Sequence, residues 1–409
     1  MPSPILRFIH ASDFHLERQV YGIADIPRHL RDALLDAPFV AVERVFAAAL
    51  AENAEFVVLS GDILDVEEMG PRSLLFLIEQ FERLADQGIA VYWAPGRTDP
   101  PARWELATML PENVHRFTGK SRQFLHRREN APSVRLLGLP ESGHSVVRPA
   151  DFQPPDDDLR TIALGYGTCD PAALCSVQVD YWALGGQHKR QCVQRSPAIH
   201  YPGTPQGRTP RESGPGGCTL VEVNGDGDIS TSPVATDAIR WQTEEVAVDS
   251  TTSMTVLEQL LIDRQQRQDA SAPSRVSLIS WHITGSGPLI ELLQSEAKLA
   301  ALLAKLRHAA DGKCSATWSV SLEVGEATSF PDTWYEEESM LGEFLRNVRE
   351  LQADPSQVID TESQLPPGEL ADSLAAIVEF SSPEDRAATL RRAADLGVRM
   401  LSPSDSGEP

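Results

Sequence analysis

The stretch Ile-Leu-Arg-Phe-Ile-His (residues 5–10), followed at once by Ala-Ser-Asp-Phe-His (residues 11–15), decides the fold. The first six residues form a mostly apolar run of strand length. On an extended chain, residues two apart face the same side, so Asp13 and His15 are expected to point at one object just past the strand. The sequence therefore predicts a strand that carries two candidate metal ligands at its carboxyl end.

A second strand repeats this design. Phe-Val-Val-Leu-Ser (residues 56–60) is apolar almost throughout, which is typical of a strand covered on both faces, and it is followed by Gly61 and Asp62. Between the two strands, apolar residues recur at helical spacing over residues 37–53. A strand, a crossover helix and a strand bring both candidate groups to one edge of a parallel sheet, where open α/β sheets place their ligand sites.

The alternative to a metal site is that these residues have only a local structural role. A single aspartate after a strand is more often a turn residue or a helix cap than a ligand. Asp-x-His and Gly-Asp-x-x-Asp, each closing an apolar strand, are together more specific, because oxygen and imidazole ligands suit a hard or borderline metal ion.

Four segments resemble the calcineurin-like metallophosphoesterases, and within them the branch of SbcD-type DNA-repair exonucleases. They are Phe-Ile-His-Ala-Ser-Asp-Phe-His-Leu (residues 8–16), Leu-Ser-Gly-Asp-Ile-Leu-Asp (59–65), Gly-Gly-Gln-His-Lys (185–189) and Tyr-Pro-Gly-Thr-Pro-Gln-Gly-Arg (201–208). The resemblance is clear over about residues 5–225 and faint beyond them. It implies an α/β fold: a two-sheet α/β sandwich followed by a small α/β capping domain and a helical C-terminal tail.

The resemblance also implies a role for each motif residue. In that family two divalent cations, roughly 3.5 to 4 Å apart, clamp a phosphodiester and activate a water for in-line attack. Asp13, His15 and His188 match the ligands of the first metal, and Asp62 matches the carboxylate that bridges the two. The metal implied is a divalent ion such as Mn²⁺.

The positions whose residues bind only the second metal in that family depart from the family pattern here. Arg97, Tyr166 and Gly186 replace its three ligands, and Thr98 replaces a histidine that assists the leaving oxygen. A guanidinium cannot coordinate a cation, and threonine does not titrate near neutral pH. We therefore expect a single metal ion, with Arg97 as a surrogate cation that holds a phosphate oxygen. The alternative is a surface arginine in a relaxed loop.

The charge of the chain weighs against easy DNA binding. There are 59 acidic and 36 basic residues, a formal net charge of −23, whereas a surface that holds DNA is locally basic. Residues 331–409 carry 17 acidic against 6 basic residues, so about half of the excess lies there. Arg208 and Arg211, beside the Tyr-Pro-Gly loop, are the predicted substrate contacts.

Composition indicates the compartment. The five cysteines include no C-x-x-C pair, which favours reduced thiols in a cytoplasmic protein over disulfides or a zinc site. The N-terminus enters the first strand without a basic segment or a long apolar run. No stretch reaches the length of apolar sequence that a membrane span requires, so neither export nor membrane insertion is expected.

The chain is expected to have three regions: a metallophosphoesterase domain (residues 1–237), a capping-like α/β domain (238–330) and an acidic, partly helical C-terminal region (331–409). The second region alternates predicted strands (244–248, 276–284, 315–324) with predicted helices (254–268, and one or two helices over 289–309). In the third, a Pro-, Gly- and acid-containing stretch (354–369) precedes apolar stripes at 371–380 and 387–401. The resemblance implies that these helices dock on an SbcC-type ATPase; the alternative is a tail packed on its own chain.

Two functions of different class remain open. The first is a metal-dependent DNA exonuclease that works with one ion. The second is a catalytically weak or inactive pseudo-nuclease that serves as the scaffold subunit of an SbcC-type ATPase. Hydrolysis of a small phosphodiester is less favoured, because the cap and the Tyr-Pro-Gly loop resemble the nuclease branch. The resemblance is also compatible with a homodimer.

Overall fold

The computed structural model describes residues 6–101, 109–118, 122–128, 133–140, 143, 146–249, 251–271, 275–285, 287–312, 315–325, 332–353 and 383–401. The chain divides into two compact units. The first comprises residues 1–243, 264–280 and 307–320, and the second comprises residues 244–263, 281–306 and 321–409. All the predicted metal ligands belong to the first unit.

Six strands form the first sheet. In spatial order they are β12 (Ile229–Ala235), β11 (Gly217–Val223), β1 (Leu6–Ala11), β2 (Phe56–Ser60), β3 (Ala90–Ala94) and β4 (Val114–Arg116). Strands β1 to β4 are parallel, while β11 and β12 are antiparallel additions at one edge. The strands predicted at residues 5–10 and 56–60 are confirmed as β1 and β2. All five residues of β2 are buried, because its two faces are both covered.

Helices α1 (Arg28–Ala51) and α2 (Pro71–Ala85) contribute to the core on one face of this sheet, where Phe46 and Phe81 are fully buried. Helix α1 begins at Arg28 rather than at residue 37. The apolar spacing was followed only over residues 37–53, whereas the helix includes Pro38 and the turns before it.

The second sheet also has six strands. In spatial order they are β5 (Arg122–His126), β6 (Val134–Gly138), β7 (Thr161–Tyr166), β8 (Tyr181–Gly185), β10 (Ala198–Tyr201) and β9 (Gln191–Arg195). The four central strands are parallel, and β5 and β9 are antiparallel edges. The short helix α3 (Pro171–Leu174) contributes Leu174 to a core that also contains Trp182.

The two sheets pack face to face, which confirms the predicted α/β sandwich. Phe8 of β1 stacks on Phe56 of β2, with ring centroids 5.0 Å apart, and meets Tyr181 of β8 edge-on at 5.4 Å. Burying side chains of this size stabilises the fold by about 1.5–3 kcal/mol each. The sandwich thus fixes the loops after its parallel strands.

Three strands form the third sheet, in the order β13 (Ile239–Val248), β14 (Val276–Gly285) and β15 (Thr317–Val324). The helices of this region are α4 (Met254–Ser271), α5 (Pro288–Leu293) and α6 (Glu296–Asp311). The predicted alternation of strands and helices is confirmed, and residues 289–309 contain two helices rather than one. The domain boundaries after residues 237 and 330 stay predictions.

The C-terminal region contains α7 (Asp332–Glu336), α8 (Met340–Ala353) and α9 (Pro383–Leu401). Leu345 of α8 and Leu390 of α9 are buried in one small core. Helix α9 confirms the stripe predicted at residues 387–401, whereas the stretches at 354–369 and 371–380 lie outside the described residues. Within the described parts of the chain, every helix is too short or too polar to span a bilayer.

Candidate metal centre

Two adjacent loops, at the carboxyl ends of β1 and β2, are joined by backbone hydrogen bonds. Asp13, His15 and Asp62 all have left-handed backbone conformations, with φ of 56°, 42° and 54°. Such conformations cost on the order of 1–3 kcal/mol each in residues other than glycine and persist only where the surroundings enforce them. Here the N–H of Asp13 donates to Gly61 O and the N–H of His15 donates to Asp62 O, both at 3.0 Å.

The Asp13 carboxylate is fully buried and fixed on both oxygens. Ser12 Oγ donates to Oδ2 at 2.5 Å, and the N–H of Gly186 lies 3.0 Å from Oδ2 and 3.2 Å from Oδ1. Burial raises the pKa of Asp13 to about 6, although nearby His188 acts in the opposite direction. A buried carboxylate of this kind is stabilised by a cation beside it.

His15 is the most informative side chain of the site. It is 2 % exposed, and within the described part of the chain neither ring nitrogen has a hydrogen-bond partner. Burial, with Arg208, Arg18 and His188 nearby, lowers its pKa to about 2, so the imidazole is neutral. Buried polar atoms without partners are rare in proteins, and a bound cation would satisfy this one.

His188 comes from the loop after β8 and faces the same point. Its Nδ1 forms a short hydrogen bond with the Glu212 carboxylate, and this bond raises the pKa of His188 against the effect of burial. Its Nε2 lies 3.9 Å from Asp13 Oδ1. A carboxylate on one nitrogen of a histidine orients the other nitrogen toward a metal ion.

Donor atoms of Asp13, His15 and His188 all lie within 4.8 Å of one another. The fourth predicted ligand, Asp62, places Oδ2 3.6 Å from His15 Nε2. Two imidazoles with carboxylate oxygens suit divalent ions of the first transition series. The residues present therefore fit a divalent cation, and the structure brings together all four side chains that the sequence predicted.

A scan against protein-family models finds no match. A protein of Bacillus subtilis described as the uncharacterized metallophosphoesterase YhaO is 32% identical to this chain over 280 residues, covering 63% of the chain and 67% of that protein. The chain belongs to the metallophosphoesterase family.

Two more distant similarities accompany it. The DNA double-strand break repair protein Mre11 of Saccharolobus solfataricus is 24% identical over 110 residues, which is 27% of the metallophosphoesterase chain and 26% of Mre11. Among solved structures, a dimetal phosphatase from Danio rerio aligns over 57% of this chain and 100% of its own, with 11% identity and a TM-score of 0.36.

In this metallophosphoesterase, Tyr166 and Thr98 both donate hydrogen bonds to Asp62. The Tyr166 hydroxyl donates to Asp62 Oδ2 at 2.6 Å, and the N–H of Thr98 donates to Oδ1 at 2.9 Å. The Thr98 hydroxyl is engaged elsewhere, donating to Leu64 O at 2.8 Å. Burial and the charge of Asp62 raise the pKa of Tyr166, and exposed Arg97 is near enough to oppose them.

The two arginines predicted to contact substrate differ in their exposure to solvent. Arg208 is 3 % exposed and lies in the interior, where its guanidinium donates to Thr204 Oγ1 at 3.1 Å and to Phe14 O. Burial lowers its pKa to about 10. Arg208 therefore supports the loop after β1 from behind, since Thr204 in turn donates to Asp13 O at 2.9 Å. Arg211 is exposed, next to Glu212.

Three side chains near the centre were not assigned a role from the sequence. Glu212 orients His188, and the capping-box pattern that it forms with Thr209 was the available signal. Asp99 is fully buried and accepts the N–H groups of Asp62 and Gly96 at 3.1 and 2.5 Å, and burial raises its pKa to about 7. Exposed Arg18, 3.6 Å from Asp65, carries no sequence signal at all.

Proposed function

We propose that this chain is a metal-dependent phosphodiester hydrolase that acts on DNA ends as an exonuclease, using one divalent ion, Mn²⁺, held by Asp13, His15, Asp62 and His188. The observation that carries the proposal is the buried imidazole of His15, which lies beside Asp13 and His188 and has no hydrogen-bond partner in the described part of the chain. DNA as the substrate class is supported by the motif resemblance and by the similarity to a protein named for DNA double-strand break repair.

Each side chain has a defined task in this proposal. Glu212 holds His188 by Nδ1, and Ser12 and the N–H of Gly186 hold Asp13, so the ligand atoms are oriented in advance. When bound, a divalent ion polarises a phosphoryl oxygen and lowers the pKa of a water molecule.

Two exposed cations lie near the centre and face solvent. Arg18 is close enough to His15 to lower its pKa, and Arg97 is close enough to Tyr166 to do the same there. Guanidinium groups bind phosphate oxygens well, so both are proposed contacts of the DNA backbone, with Arg97 supplying a positive charge in place of the missing metal. Arg211 is proposed as a third contact at the rim.

One observation favours the second candidate, a weak or inactive scaffold subunit of an SbcC-type ATPase. The Thr98 hydroxyl donates to Leu64 O and is thus directed at the backbone rather than toward a leaving group. General acid help is worth about 10²–10⁴-fold in rate, so its loss alone would leave slow hydrolysis. The acidic net charge of −23 fits a subunit that relies on a basic partner to hold DNA.

The deciding experiment combines metal counting with a nuclease assay. The purified chain is loaded with Mn²⁺, its bound metal is counted, and cleavage of single- and double-stranded DNA is followed for the parent, Asp62→Asn and Asp151→Asn. Asp151 is exposed and lies in the short helix at residues 149–151, so it is a matched control. Cleavage that only Asp62→Asn abolishes supports the nuclease. One ion without cleavage supports the scaffold, and no bound ion contradicts the metal-dependent nuclease.

A further inference from the structure

The ring of Tyr166 lies in a space formed by three glycines, here called the glycine slot (Gly61, Gly96 and Gly186). A Cβ atom at Gly61 or Gly96 would lie 2.6 or 2.8 Å from Tyr166 Cδ2, and a Cβ at Gly186 would lie 3.1 Å from Tyr166 Cζ. Contacts between carbon atoms become favourable only at about 3.5–4.0 Å. The ring is thus packed against the backbone of three separate loops.

A side chain at position 186 would crowd the Tyr166 ring. Gly186 has φ of 93°, a conformation that larger residues rarely adopt, and its missing side chain would point into the ring. Two of the departures from the family pattern are therefore neighbours in space, and glycine at position 186 leaves room for the tyrosine ring. The space beside Asp62 is filled by an aromatic ring.

The hydroxyl of the same ring provides a partner for Asp62. It donates to Oδ2 at 2.6 Å, the length of a charge-assisted hydrogen bond, while His15 Nε2 lies 3.6 Å from that oxygen. A carboxylate oxygen has two lone pairs, so Oδ2 can accept from Tyr166 and still serve a cation held by His15. The N–H of Thr98 fixes the other oxygen.

We propose that Tyr166 is a positioning residue that closes the second metal site: its ring fills the second-metal space, and its hydroxyl holds Asp62 for a single ion. The inference rests on the metal centre of the proposed function. One divalent ion balances the charges of Asp13 and Asp62, and Tyr166 supplies the hydrogen-bond donor that keeps Asp62 aligned.

The test is metal binding, measured by isothermal titration of the metal-stripped full chain with Mn²⁺ and by electron paramagnetic resonance of the loaded protein. The parent is expected to bind one ion and to show the spectrum of an isolated Mn²⁺. Tyr166→Phe, which keeps the ring and removes the hydroxyl, should still bind one ion, about tenfold more weakly. Tyr166→His, which has a smaller ring and an imidazole, should gain a weak second equivalent with spin coupling between the ions.

Tyr92→Phe is the matched control, because the Tyr92 hydroxyl contacts His126 at 3.0 Å, away from the centre. It should leave Mn²⁺ affinity unchanged, and thermal melting of each variant checks that it folds. Two ions in the parent, or equal affinity in Tyr166→Phe and the parent, would overturn the inference while leaving a metal centre in place. A parent that binds no ion would instead overturn the proposed function itself.

Discussion

The two halves of the candidate centre differ in what surrounds their carboxylates. In the half built by Asp13, His15 and His188, the candidate ligand atoms face one point, and among the described residues the imidazole of His15 has no hydrogen-bond partner. In the half around Tyr166, the aromatic ring fills the glycine slot and its hydroxyl is hydrogen-bonded to Asp62. The first half could therefore bind a cation, whereas the side chain of Tyr166 fills the second half.

The contrast shows that two neighbouring buried carboxylates can be satisfied in different ways within one fold. Removing metal ligands alone would leave buried polar groups unsatisfied, which costs about 1–3 kcal/mol for each group. Tyr166 avoids this cost for Asp62 by donating a hydrogen bond. Together with the N–H of Thr98, the Tyr166 hydroxyl gives both oxygens of Asp62 a hydrogen-bond donor.

The largest effect is expected from Arg97, the exposed cation on the Tyr166 side. Arg97→Ala should lower kcat/KM for DNA cleavage by about 10–100-fold, because a hydrogen bond to a charged group contributes about 1.5–3 kcal/mol. Bound Mn²⁺ should remain at one ion per chain, since arginine is not a ligand. Steady-state kinetics and metal counting provide the two measurements.

Arg72→Ala is the control for that change, because Arg72 is an exposed arginine of α2 that pairs with Asp36 at 2.6 Å. It should cleave as the parent does. If Arg97→Ala were as active as Arg72→Ala, Arg97 would be an ordinary surface residue and the surrogate-cation hypothesis would be wrong.

A smaller effect is expected from Glu212, which contacts His188 in the half of the centre built by Asp13, His15 and His188. Both of its oxygens accept: Oε1 from His188, and Oε2 from the N–H of Arg208 at 2.5 Å. Glutamine has one accepting atom, so Glu212→Gln leaves either His188 or the backbone without an acceptor. Mn²⁺ affinity should fall about tenfold, the lower end of the usual cost of losing such a partner, as measured by calorimetry.

Glu222→Gln serves as the comparison, since Glu222 pairs with Arg7 at 2.8 Å on the first sheet. It should bind Mn²⁺ with the parent's affinity. Equal affinities for Glu212→Gln and Glu222→Gln would mean that His188 needs no orienting carboxylate, and the account of the metal half would have to change.

The sequence predicted the ligands because each one follows an apolar strand, and strand ends converge for topological reasons. It could not predict that Tyr166 donates to Asp62 or that Arg208 points inward, since both depend on loop conformations set by contacts far apart in the chain. Helix α1 shows the same limit: the apolar spacing predicted a helix over residues 37–53, whereas the helix begins at Arg28 and also buries Leu30 and Leu34.

A last prediction compares His15 with His200, a buried histidine outside the centre. His200 is 1 % exposed, and its Nε2 pairs with Thr219 Oγ1 at 2.9 Å. Burial lowers the pKa of His200 to about 3, against 6.5 in the unfolded chain. Between these values the unfolded state binds the extra proton, so this histidine makes the free energy of unfolding fall as the pH falls.

The contribution of His200 is about 1.4 kcal/mol per pH unit once the pH is well below 6.5. His200→Gln should therefore show a shallower slope than the parent by that amount in urea denaturations between pH 6 and pH 4. Thr219→Val removes the hydroxyl partner but no titrating group, so it should lower stability at every pH and keep the parent's slope. If His200→Gln kept that slope too, burial would not be holding His200 neutral. The neutrality of His15, which is buried in the same sandwich, would then need a cause other than burial.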